Sequence, residues 1–165
     1  MILYKNEKET DSFLTMNNDV YRVITALNNN QELKRLLSYT GVNPLEVEAD
    51  VSVDLRDKQI LRAPVIPFNN DEGSFCTVSL TQGMIDMDTG SSYTLLAIDV
   101  FTPSNQWIVN QGLRPLLLCH VINTTIKYNL NQTGGIKYRL KKFTDAQLTD
   151  VLMGYRMLFE VVIDE

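Results

Sequence analysis

The side chains best suited to chemistry in this 165-residue sequence are few: one histidine, His120, and two cysteines, Cys76 and Cys119. Any Ser-His or Cys-His catalytic pair must therefore use His120. It lies in "LLLCHVIN", within a run that reads as a helix, and consecutive helical residues such as Cys119 and His120 do not face each other. The pattern favours a packing histidine. One histidine with two distant cysteines also lacks the short paired spacings of a zinc site. The loop "DMDTGS" opens as a calcium loop does, with Asp86 and Asp88 two apart. Its sixth and twelfth positions, however, hold Ser91 and Ala97 where Gly and Glu are required. "QTGG" at 132–135 and "GSS" at 90–92 are too short for phosphate loops. Glu46, Glu48, Asp50 and Asp54 sit in a polar stretch with no sign of desolvation. The expectation is a protein without catalytic, cofactor or metal residues.

The scaffold beneath these residues is one domain by length, and hydrophobic (44%) and charged (21%) fractions near ordinary globular values argue against disorder and fibrous structure. A formal charge of -5 provides no general basic surface for gripping phosphates. The basic cluster "KYRLKK", residues 137–142, alternates with apolar residues as a solvated strand face does. Cys76 and Cys119 fall among apolar neighbours without CxxC spacing, which suits buried thiols and a reducing site of synthesis. The start "MILYKNEKETDSF" has no signal-peptide pattern, and no apolar run approaches the ~20 residues of a membrane span.

Along the chain, residues 1–16 lack periodicity and read as an arm. A helix is expected from a cap at Asn17 or Asn18, with Val20, Val23, Ile24 and Leu27 at helical spacing. After Asn28–Asn30, a second short helix places Leu33, Leu36 and Leu37 on one face, with Gly41 as a stop. Residues 42–71 are polar and punctuated by Pro44, Pro64 and Pro67, a long excursion of the functional or interface kind, with "QILRAPVIP" as an edge strand. Phe75–Leu80 and Tyr93–Phe101 read as the strands of a long hairpin with its tip at 83–92. In the second strand Leu96, Ile98 and Val100 form one face, and Leu95, Ala97 and Phe101 the other. Both faces need cover, and a neighbouring subunit is the expected source for the second. "LRPLLLCHVINTTIKYNL" is a central helix with Pro115 in its first turn. A turn "NQTGG", a strand "IKYRLKKF", a polar link "TDAQLTD" and a terminal strand "YRMLFEVVID" follow. The order predicts an α+β domain with a mainly antiparallel sheet, residues 17–165 forming the domain proper.

Taken in order, "ELKRLLSYTGVNPL", "LRDKQILRAPVIPF" and "SFCTVSLTQG…YTLLAIDVFTPSNQWIVNQGLRPLLLCHVINTTI" resemble neck proteins of tailed bacteriophages, in the tail-terminator and tail-completion group, over about residues 30–128. The resemblance implies a non-enzymatic virion component: a homo-oligomeric ring joining head to tail around the DNA channel, assembled in the bacterial host cytoplasm. Its implied partners are portal, neck or tail rings and DNA that passes without sequence-specific binding. The arm and the basic strand near Lys141 have no counterpart in that pattern. The residues expected at subunit or ring contacts are Met84, Ile85, Asp86, Met87 and Asp88 at the hairpin tip, Pro64 and Pro67 in the excursion, and Leu95 and Phe101 on the second face of the strand. Met84, Ile85 and Met87 offer adaptable apolar side chains where a solitary domain would place polar ones. The alternative, from another class, is a small intracellular binding module or enzyme with a site near His120 and Cys119.

Overall fold

The computed structural model describes residues 7–62, 73–85, 92–132 and 136–163. Helix α1 (Glu7–Asn28) buries Met16, Asp19, Val23, Ile24 and Leu27 along one stripe. It starts well before the expected cap at Asn17 or Asn18, so residues 7–16 form the first turns of α1. No Gly or Pro interrupts them. Asn30 caps α2 (Gln31–Ser38), its side chain accepting the Leu33 amide hydrogen at 3.0 Å. The same side chain donates to Thr125 Oγ1 at 2.8 Å, which ties the first two helices to the third.

The main sheet has the order β1-β2-β3-β7-β6. The edge strand β1 (Ile60–Arg62) runs parallel to β2 (Phe75–Ile85). The remaining pairs, β2 with β3 (Ser92–Pro103), β3 with β7 (Leu152–Ile163) and β7 with β6 (Ile136–Gln147), are antiparallel. This is the expected α+β architecture. The hairpin strands run further toward the tip than their sequence suggests, with Met84 paired to Tyr93 and Ile85 to Ser92. Strand β6 also continues through Thr144–Gln147, expected as a polar link, because β7 supplies the pairing that those polar residues would not attract alone. A small hairpin, β4 (Ile108–Val109) with β5 (Gly112–Leu113), precedes α3 (Arg114–Thr125), which carries Pro115 in its first turn and continues as a π-helical turn over Ile126–Leu130.

The helices cover one sheet face. Leu33, Leu36 and Leu37 of α2 and Leu118, Val121 and Ile122 of α3 form one core with Leu96, Ile98 and Val100 of β3 and Met157, Phe159 and Val161 of β7. The opposite face differs from expectation, because its lower end, where Phe75, Phe101 and Leu152 sit, is covered by the chain itself. Leu61, Phe75, Phe101 and Leu152 form a second core with Ala146 and Leu148 packed on it, and the Phe75 and Phe101 rings lie 5.3 Å apart. Phe75 of β2 and Thr144–Gln147 of β6 line one hollow although β3 and β7 lie between their strands, so the β6–β7 hairpin curves over the face. Gly154 permits that bend: a Cβ there would run into the Val100 carbonyl oxygen and lie 2.8 Å from its carbonyl carbon. A neighbouring subunit is therefore not needed at this end of the second face.

Candidate functional site

Of the nine residues expected at contacts, Asp86, Met87, Asp88, Pro64 and Pro67 lie outside the described residues. Met84 and Ile85 belong to β2. Leu95 is half-buried opposite Gln82 and Glu160, and Phe101 is buried in the second core of its own chain. Of the four described residues, Phe101 lies in the second core, at the far end of the hairpin from Met84 and Ile85.

The Cys-His alternative fares no better geometrically. Cys119 is buried, and burial pushes its thiol up to about 12; burial does the same to Cys76, with Cys119 adding to the effect. His120 is exposed, which corrects the packing role expected for it. It shares an outward stripe of α3 with exposed Leu116, four residues away, while Cys119 turns to the core. The polar-loop carboxylates form local pairs: Asp54 with Arg56 at 2.6 Å and Asp50 with Arg35 at 3.1 Å. Hydrogen bonds from Arg56 hold the Asp54 carboxyl down at about 2. Among the described residues no cluster of His, Cys, Asp and Glu could hold a metal ion, and no helix among them is long and apolar enough to cross a membrane.

Three polar arrangements are absent from the sequence reading. Asp99 and Arg156, opposite each other on β3 and β7, form a two-pronged ion pair at 2.7 Å for both bonds. It stands in the wall of a 370 Å³ hollow, between the Phe75–Phe101 floor and Thr144–Leu148 of the bent hairpin. Asp19 is buried on α1 and takes a 3.3 Å hydrogen bond from the Tyr138 hydroxyl; burial raises its carboxyl above the usual range, against the opposing pull of Arg22 and that bond. Arg114 is the third. It is fully buried at the start of α3, and burial lowers its guanidinium below the usual range. Its Nε donates to the Gln106 carbonyl at 3.0 Å, Nη1 to the carbonyls of Leu36 (2.8 Å) and Tyr39, and Nη2 to that of Gly41. The uncompensated carbonyls at the end of α2 thus find their donors in a residue 75 positions later in the chain. No local pattern marks Arg114; the only available signal was a lone cation in an apolar run, "GLRPLLL".

The described surface also carries exposed apolar side chains. Rung by rung across the sheet, Leu80, Leu96, Phe159 and Leu140 stand in register on the helix-facing side. The central pair is buried, but Leu80 and Leu140, at opposite edges of the sheet, are 44% and 42% exposed. In the next rung Phe143 is 47% exposed and stacks on Tyr155 at 4.8 Å. Ile108, on the β4–β5 hairpin that Arg114 anchors through Gln106, is 76% exposed. These exposed apolar side chains lie on separate borders of the domain.

No curated protein matches the chain. A family model, YomW, matches residues 30–161, which run from the cap of α2 into β7 and take in the main sheet except the last two residues of β7. By that match the chain belongs to the YomW family, a phage-derived family.

Proposed function

We propose that this phage protein is a structural, non-enzymatic component of the virion, one subunit of a homo-oligomeric ring in the neck, of the tail-terminator or tail-completion kind, around the DNA channel. One observation carries the reading: apolar side chains emerge at both edges of the sheet, Leu80 on one and Leu140 on the other. A ring subunit needs two different contact surfaces, because each copy touches one neighbour with each side. The hairpin tip around Met84–Asp88 and the Pro64–Pro67 segment extend these contacts to adjacent subunits or to portal, neck and tail rings. The acidic net charge of -5 suits a conduit along which DNA slides without being gripped. Native mass spectrometry of the purified chain, with electron microscopy of phage particles labelled through it, tests the proposal. Closed rings and labelling at the head-to-tail junction are the expected result. Monomers at every concentration together with label-free particles would sink it.

A further inference from the structure

We infer how the subunits join: residues 136–140 of β6 in one copy lie antiparallel along the open outer edge of β2, residues 79–85, in the next. This deepens the ring reading and rests on it. Among the described residues β1 covers β2 only at Cys76, Thr77 and Val78, so from residue 79 upward the outer side of β2 has no strand beside it. On the other border β6 is the edge strand. Its lower half curves over the second core, and its upper half, residues 136–140, has no strand on its outer side among the described residues. The two open edges stand at the same height. The register runs Leu80–Leu96–Phe159–Leu140 in one rung and Gly83–Thr94–Val161–Tyr138 in another. An unpaired strand edge presents a row of backbone donors and acceptors that seek a partner.

Strand direction agrees with this junction. β6 is antiparallel to β7, β7 to β3 and β3 to β2, so β6 runs opposite to β2 within one subunit. Copies related by rotation about a ring axis keep that opposition, and the junction repeats the sheet's own antiparallel pattern. The apolar rung then continues from one subunit to the next, with Leu140 meeting the following Leu80 in place of water. Charge selects the pairing. Residues 136–142 carry Lys137, Arg139, Lys141 and Lys142; Lys141 pairs with Glu160 of β7 at 2.7 Å, and the positive charge that remains sets two β6 edges against each other. Beside the β2 edge lies α1, whose Phe13, Met16 and Val20 line a 340 Å³ groove with Arg62, Ser79 and Leu80. Repulsion between two β6 edges and the apolar match of Leu140 to Leu80 make the junction head-to-tail.

The test uses the full chain with Leu80→Cys and Leu140→Cys together. Within one subunit these positions are separated by three strand spacings, about 14 Å, beyond the ~7 Å Cα separation that a disulfide spans; the native thiols are buried. Under mild oxidation the double variant should yield a covalent ladder running past the dimer to the ring size seen by native mass spectrometry, and each single variant should stay uncrosslinked. Adding Lys137→Glu with Arg139→Glu should cut ladder formation about tenfold. If the double variant unfolds, Thr81→Cys with Arg139→Cys replaces it. Oligomers without a ladder, or efficient dimers from Leu140→Cys alone, overturn this junction and leave the ring reading standing. Monomers without a ladder overturn both.

Discussion

Replacing Arg114 tests the fold at the point where three segments meet. Its guanidinium serves four carbonyls: those of Leu36, Tyr39 and Gly41 after α2, and that of Gln106 before the β4–β5 hairpin. A hydrogen bond from a charged donor contributes about 1.5–3 kcal/mol net, so four would total roughly 6–12 kcal/mol if all were lost outright. They are not. Only the bond to Leu36 is buried, and the other three carbonyls lie where water can replace the donor. Removing the charge also relieves a desolvation cost of several kcal/mol, a cost visible in the lowered guanidinium value. Arg114→Ala should therefore lose about 3–5 kcal/mol. Arg114→Lys should lose about 2 kcal/mol, because an ammonium keeps the charge but lacks the planar fork that reaches two segments at once. Arg114→Met separates packing from hydrogen bonding: it fills most of the volume and provides no donor, so it should remain within about 1 kcal/mol of the alanine variant. Urea unfolding followed by circular dichroism measures all three. A methionine variant as stable as the wild type would mean that the carbonyls need no donor, and the reasoning fails.

Further outcomes follow from other sites. Gly154→Ala forces a Cβ into the Val100 backbone, and a loss above about 3 kcal/mol or failure to fold is expected; a wild-type melting temperature would refute the bend over the second core. Cys76 and Cys119, with thiols pushed up to about 12, should resist an alkylating reagent in the folded chain at about pH 8 and react fully in denaturant, and rapid native labelling of either would contradict their burial. Asp19 has its carboxyl raised above 3.8 by burial, so the folded state holds that proton more tightly; its contribution to stability is full below 3.8 and is lost as pH rises through the folded value. Asp19→Asn removes that dependence, so urea melts at about pH 3.5 and about pH 7 should show the variant gaining on the wild type as pH rises, and the opposite sign would place an ionised, stabilised carboxylate there.

Much of this architecture was legible because it is local. Leu33, Leu36 and Leu37 at helical spacing, Pro115 in a first turn, and the alternating Leu96, Ile98 and Val100 each declare their element without help from distant residues. The misses share one cause, pairing across the chain. Thr144–Gln147 are polar and read as a link until β7 pairs with them, and the first turns of α1 lack an apolar rhythm because Phe13 and Leu14 point to solvent. His120 seemed buried because its sequence neighbours are, yet a helix set on a sheet always turns one stripe outward. The second face of β3 seemed to require another subunit, and a glycine 53 residues beyond Phe101 allows the chain to cover it; no pattern near Phe101 signals that. The exposed apolar borders of the sheet were legible only as an expected need for partners. Placing Leu80 and Leu140 on one rung required the register of three strand pairs.

The placement of β7 between β3 and β6 also constrains how the protein is made. β7 emerges from the ribosome after every other strand of the sheet, and yet it is the strand on which the sheet depends. Until residues 152–163 are free, the β1-β2-β3 half has no inner neighbour and β6 has nothing to pair with. A nascent chain can therefore display one border of the sheet early but never both. The second border forms only once β7 has paired, so a chain still lacking residues 152–163 presents one border of the sheet alone.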